Sequence, residues 1–228
     1  MATAGKSSDI LKNQAIMCIR MLPAFYPILD VAALNAQGIS TLAAAGAILS
    51  GGARILQLRH KEHLSREMFD TAQRVAALCA EHGATFVMND RSDVARILGC
   101  GLHLGQDDLP CRAARAVMGA GLLGFSTHNA EQLRSAPAEA DYLALGPIFA
   151  TGSKVNPDPV VGLRNLRAWR PLSARPLVAI GGITLDNARQ VMDAGADSVA
   201  IIGGLYSGDL TLDLLKERTD AWLRQLPN

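Results

Sequence analysis

The stretch Arg54-Ile55-Leu56-Gln57-Leu58-Arg59-His60-Lys61, followed by Ser65–His82 and then by Thr85-Phe86-Val87-Met88-Asn89, decides the fold. Its first part is a short apolar run that turns polar at its end, as a strand does when it leaves a core for a surface. The middle part is helical: Met68, Phe69, Ala72, Val75, Ala76 and Cys79 recur at the spacing of one helix face, Ser65 is placed to cap the start, and Gly83 to end it. The third part is a strand again. Strand, helix and strand in this order make the βαβ unit of a parallel sheet.

The unit recurs on both sides of this stretch. Strands are expected at Phe25–Asp30, Arg54–Lys61, Thr85–Asn89, Gly101–Leu104, Leu122–Ser126, Tyr142–Gly146, Leu177–Ile180 and Ser198–Ile202, eight in all. Thr184–Ala194 repeats the helical pattern and Gly195 ends it. No GxGxxG opens a helix after the first strand, and Gly51-Gly52 precedes a strand instead, which speaks against an open dinucleotide-binding sheet. The expected fold is therefore α/β, a single parallel eight-stranded (β/α)8 TIM barrel. Pro27 is the local misfit, because it has no N–H to give a central ladder. No linker or composition break divides the chain, so residues 23–228 are expected to form one barrel domain. Residues 1–22 are expected to form an N-terminal extension, helical around Ile10–Arg20 or frayed.

Hydrophobic residues make up 49% of the 228, enough for a sizeable core. Lys plus Arg number 22 against 21 Asp plus Glu, so the chain has no net field to hold nucleic acid or an anionic membrane, and any anion must be bound locally. Small phosphorylated molecules are the expected partners; the oligomeric state stays open. Cys18, Cys79, Cys100 and Cys111 lack CxxC spacing and read as reduced, mostly buried thiols. No apolar run approaches the roughly 20 residues of a spanning helix, and the start lacks a secretion signal. A cytoplasmic location is expected.

In a parallel barrel the C-terminal strand ends and their loops build the site. If Leu56 and Leu58 cover the helix layer, Gln57, Arg59 and Lys61 form the inward row of the second strand. A guanidinium there needs an anionic partner, either a bound anion or the protein's own carboxylate, and two cations in line favour a polyanionic ligand. Asn89 and Asp90 end the third strand, and Gln106-Asp107-Asp108 follow the fourth. Asp90 and Asp108 fit a Mg²⁺ ion bridging phosphate oxygens; helix capping is the plainer alternative, with Pro110 at the first helical position. Ser126 reads as a donor at the mouth or as a helix cap. Thr151-Gly152-Ser153-Lys154 fits a phosphate, against an ordinary surface turn. The Gly181-Gly182 and Gly203-Gly204 turns lie in the last two loops, the usual phosphate site of this fold. Among the histidines, His60 faces away from the mouth, His63 and His82 belong to the surface or a helix, His103 reads more as core filling than as a pocket residue, and His128 as a helix-start residue.

Six segments resemble the thiamine-phosphate synthase family, over Tyr26 to Ile202: Gln57-Leu58-Arg59-His60-Lys61, Asn89-Asp90-Arg91, His103 to Pro110, Gly124 to His128, Gly146 to Lys154 and Ala179 to Ile183. The resemblance implies a transferase of thiamine biosynthesis that joins hydroxymethylpyrimidine diphosphate to a thiazole phosphate, giving thiamine phosphate and pyrophosphate. It implies that Gln57, Arg59, Lys61, Asn89, Ser126 and Lys154 contact the pyrimidine diphosphate, with all but Gln57 carrying the reaction. Asp90 and Asp108 would bind Mg²⁺, and Thr151, Ser153, Gly182, Ile202 and Gly203 would hold the thiazole phosphate. His60, Ala150 and Gly203 depart from the family's frequent glutamate, proline and serine. The alternatives are a thiazole tautomerase-like isomerase, a Schiff-base aldolase using Lys61 or Lys154, and a non-catalytic phosphate-ligand sensor on the same fold.

Overall fold

The computed structural model describes residues 22–152 and 158–227. The expected helix around Ile10–Arg20, Cys18, Ser153 and Lys154 lie outside them. Eight parallel strands close into a barrel in sequence order: β1 Phe25–Asp30, β2 Ile55–Arg59, β3 Thr85–Asn89, β4 Gly101–Leu104, β5 Leu123–Thr127, β6 Tyr142–Leu145, β7 Leu177–Ile180 and β8 Ser198–Ile201. The first strand runs over the expected residues despite its proline. Its pairing changes neighbour at that point, with Phe25–Pro27 in register with β8 and Ile28–Asp30 in register with β2.

Helices alternate with the strands: α1 Val31–Ala36, α2 Thr41–Ser50, α3 Arg66–Glu81, α4 Ser92–Leu98, α5 Cys111–Met118, α6 Ala130–Arg134, α7 Gly162–Trp169, α8 Leu185–Asp193, the four-residue α9 Gly203–Tyr206, and α10 Leu212–Gln225. Ser65 caps α3 by accepting from Met68 N at 3.1 Å, and Thr184 caps α8 in a capping box with Asn187. The α9 turn is absent from the sequence reading, since two glycines give no helical signal.

Period-two alternation sorts the strand residues into two cores. Leu56, Leu58, Met88, Leu102 and Leu143 face the helices. Tyr26, Ile28, Ile55, Val87, Tyr142 and Val178 fill the barrel. The tyrosines need small neighbours. A Cβ on Gly124 would stand 2.1 Å from Tyr142 Cζ, so only glycine admits that ring.

At the N-terminal rim, strand starts expose N–H groups that need acceptors. Asp141 Oδ2 accepts from Leu123 N at 2.7 Å and from Arg115 at 2.8 Å; Asp197 Oδ2 accepts from Leu177 N at 2.8 Å and from Arg170 at 3.0 Å. Cys79 and Cys111 are buried free thiols and Cys100 is half-buried. Burial pushes Cys79 up to about 12 and the other two up to about 11, far from the thiolate range. Among the described residues, no helix is long and apolar enough to cross a membrane.

Trp222 of α10 is 1% exposed and stacks on Phe25 of β1 with centroids 5.9 Å apart. Trp222→Ala is expected to lower the unfolding free energy by about 3–5 kcal/mol in urea denaturation, against about 1 kcal/mol for the exposed cap variant Ser65→Ala.

Candidate active site

The strand ends place the polar residues of the inward row around one mouth. On β2 the two leucines cover the helix layer, so Gln57 and Arg59 face inward with Ile55. The Arg59 guanidinium donates to Asp30 Oδ2, and Lys61 Nζ lies 2.6 Å from Asp90 Oδ2. Both cations have carboxylate partners within the protein, as the plainer of the two readings of this row expects. The physical reason is Asp30, which ends β1 in register with Arg59. With 8% exposure for Asp30 and 22% for Arg59, neither charge is well enough solvated to stand alone. Asp30 also caps α1, its Oδ1 accepting from Ala33 N at 3.0 Å. That capping signature hides it in the sequence, although strand alternation puts it beside Arg59.

Asp90 follows β3 in the left-handed region, φ 64°, unusual for a residue other than glycine but tolerated by aspartate. Asp90 N donates to His103 O at 2.9 Å and Arg91 N to Asn89 O at 2.8 Å, which fixes the turn. The turn brings the carboxyl back toward Lys61 and into hydrogen-bonding reach of Asp108. Burial raises its affinity for a proton, Lys61 opposes this, and Asp108 adds to it. Asp108 is not a helix cap: α5 starts at Cys111 after Pro110, and Asp108 Oδ2 accepts from Gly105 N at 2.6 Å within its own loop. Pro110 accordingly stands at the cap position and not at the first helical position expected of it. Two carboxylates thus meet at the mouth beside an ammonium. Among the described residues, no third His, Cys, Asp or Glu joins them to form a metal cluster.

Asn89 is 5% exposed, and its amide nitrogen is a buried donor with no hydrogen-bond partner among the described residues. An unmet donor of this kind costs about 1–3 kcal/mol, a cost that a ligand acceptor would remove.

Ser126 is not a helix cap either; Asn129 caps α6. Ser126 Oγ lies 2.9 Å from His103 Nε2, and His103 Nδ1 lies 2.9 Å from Tyr142 Oη. His103 therefore belongs to the mouth's polar lining, against the core-filling reading. His128 stands before the Asn129 cap, its backbone N donating to Gln132 Oε1 of α6 at 2.7 Å, and its Nδ1–H donates to Gly146 O at 2.6 Å, joining β5 to the loop after β6. That loop also packs on the Gly-Gly turn after β7. Ile148 N donates to Ile180 O at 2.9 Å and Phe149 N to Gly181 O at 3.0 Å. Gly181 and Gly182 have φ 99° and 64°, and a Cβ on Gly182 would stand 2.5 Å from Ala150 O, so this turn needs glycine for backbone and for space. Gly203 opens α9 and Ile202 precedes it. Thr151 is in the described part of the β6 loop; Ser153 and Lys154 are not.

A closed barrel whose cations, paired carboxylates and unmet amide donor gather at the C-terminal rim is the framework of an enzyme that handles anionic small molecules. The chain belongs to the thiamine monophosphate synthase family, whose model matches residues 25–205. A thiamine-phosphate synthase from Koribacter versatilis is 50% identical over 190 residues, covering 81% of this chain and 89% of that one. One from Laribacter hongkongensis is 44% identical over 161 residues, covering 70% and 76%. The solved thiamine phosphate pyrophosphorylase from Pyrococcus furiosus superposes with a TM-score of 0.77 at 30% identity, covering 88% of this chain and 94% of that one.

Asp30→Asn retains a side chain able to cap α1 but withdraws the charge from Arg59. It is expected to cost about 1–3 kcal/mol in urea denaturation, while Lys61→Met, at the half-exposed pair, shifts stability by under about 1 kcal/mol.

Proposed function

We propose that this chain joins 4-amino-2-methyl-5-hydroxymethylpyrimidine diphosphate to a thiazole phosphate, releasing thiamine phosphate and pyrophosphate, or to its carboxylated form with carbon dioxide as a further product. The observation that carries the reading is the convergence of the orphaned Asn89 amide with Arg59, Lys61 and the Asp90–Asp108 pair at one rim, in a chain of this family.

Arg59, Lys61, Asn89 and Lys154 would bind the diphosphate, and Gln57 and Ser126 the pyrimidine. Thr151, Ser153, Gly182, Ile202 and Gly203 would hold the thiazole phosphate. The donor set fits a hard divalent cation: two carboxylates converge, and the burial that raises Asp90's proton affinity equally favours a bound cation there. Asp90 and Asp108 would hold Mg²⁺, which when bound would supply positive charge to the leaving diphosphate.

The chemistry follows from what these residues offer. Cleavage of the bond between the pyrimidine methylene and the diphosphate oxygen puts both electrons on the departing pyrophosphate. Arg59, Lys61 and Asn89 stabilise that growing charge from positions set by the strand ends, and Lys154 would add its charge to theirs. The aminopyrimidine ring supports the resulting methylene cation, and the thiazole nitrogen lone pair captures it. No protein nucleophile is consumed, and the residues act by holding two phosphorylated substrates face to face.

Pyrophosphate release is expected to require both substrates and Mg²⁺. Asp90→Ala should reduce it by about a hundredfold or more, and Asn89→Ala by about tenfold. Undiminished turnover of Asp90→Ala without Mg²⁺ would overturn the assignment.

A further inference from the structure

A continuous hydrogen-bonded path crosses the barrel interior from Gln57 on β2 to Ser126 on β5. Gln57 Nε2 donates to Tyr26 Oη at 3.0 Å, Tyr26 Oη meets Tyr142 Oη at 2.8 Å, Tyr142 Oη meets His103 Nδ1 at 2.9 Å, and His103 Nε2 meets Ser126 Oγ at 2.9 Å. Both phenols are fully buried and, because burial opposes ionisation, keep their protons, Tyr26 rising to about 12 and Tyr142 well above its ordinary value. The His103 ring stacks on that of Tyr142 at 5.5 Å. Gly124 makes this link sterically feasible, since a Cβ there would lie 2.3 Å from Tyr142 Oη and 2.5 Å from His103 Nδ1.

Proton counting fixes the direction of the path. Each link needs one donor, and each phenol has one proton. With Gln57 donating to Tyr26, Tyr26 must donate to Tyr142 or leave its proton unmet in the core. Tyr142 then donates to His103 Nδ1, a neutral His103 bears its proton on Nε2 and donates to Ser126, and the Ser126 hydroxyl proton is left to face the mouth. The opposite direction is satisfied only if the group at position 57 accepts: His103 then bears Nδ1–H and Ser126 spends its proton on the ring. The two ends of the path thus switch together.

We propose that Tyr26, Tyr142 and His103 are positioning residues that set the hydrogen-bond polarity of Gln57 and Ser126 as a single unit. In the direction that starts with Gln57 donating, the Gln57 carbonyl oxygen remains an acceptor and the Ser126 hydroxyl a donor. That pattern suits a heterocycle presenting an amino group to Gln57 and a ring nitrogen to Ser126, and disfavours one with donor and acceptor exchanged. The ligand assignment rests on the pyrimidine reading above; the coupling itself does not.

Two measurements test the coupling and its use. The tautomer of His103 is read from its ring ¹⁵N shifts in the ligand-free protein. The wild type is expected to show Nε2–H, and Gln57→Glu, at a pH where ¹³C shifts show the introduced carboxyl ionised, is expected to move it to Nδ1–H. Adding Tyr26→Phe should restore Nε2–H. A tautomer unmoved by the ionised carboxylate, or moved equally in the double variant, overturns the relay. In steady-state kinetics Tyr26→Phe should lower kcat/KM for the pyrimidine diphosphate about tenfold in the wild type but less than about twofold in a Gln57→Ala background. Losses that multiply across the two backgrounds would show Tyr26 acting through general packing and sink its positioning role. These conservative variants give an answer even if Gln57→Glu does not fold. Failure of the wild type to release pyrophosphate would defeat the assigned reaction while leaving the tautomer measurement valid.

Discussion

Closure of the sheet is the constraint from which the site follows. In a closed parallel barrel every second side chain points inward, and the interior has a fixed width to fill. Tyr26, Ile28, Ile55, Val87 and Tyr142 fill it, and glycine at 124 yields the room that Tyr142 takes. The same rows, followed toward the C-terminal rim, change from apolar to polar: Ile55 gives way to Gln57 and Arg59, Val87 to Asn89, and Ile28 to Asp30. The groups at the mouth are the upper rungs of the ladders whose lower rungs are the core, so a register slip that misplaced Asn89 would also turn Val87 out of the interior.

Much of this was legible from the residues. The strands fell within one or two residues of the expected bounds because parallel strands buried on both faces are compact apolar runs between helices. Helix starts at Ser65 and Thr184 were readable because capping is local chemistry. The inward direction of Gln57 and Arg59 followed from Leu56 and Leu58, which alternate with them. Pairing across the barrel was less visible. Asp30 lies 29 positions from Arg59 in the chain, and only the β1–β2 register joins them. Tyr26, Tyr142 and His103 come from three strands, each looking like core filling by itself, and their link depends on the distant Gly124. The roles of Asp108 and Ser126 were obscured for the opposite reason: each precedes a helix, and local capping rules offered a reading that nearby Pro110 and Asn129 made unnecessary.

The electrostatics of the mouth combine retained pairing with unspent capacity. Arg59 and Lys61 each have an acidic partner, which keeps two cations close together without a large field in a chain whose formal net charge is +1. Asp90, however, is shared between Lys61 and the neighbouring Asp108, and burial holds it at a raised proton affinity. A charge arrangement of this kind gains from an incoming cation and polyanion together more than from either alone, since each relieves a repulsion that the other would worsen.

The opposite rim has its own logic. Asp141 and Asp197 occupy equivalent places two strands apart, each holding the first N–H of the preceding strand and an arginine. Successive strand pairs in the second half of the barrel therefore each carry a separate fastening, remote from the chemistry at the far end. Such a division lets the scaffold be reinforced or loosened quarter by quarter while the catalytic rim keeps its geometry, and it lets that rim diverge without unlatching the base.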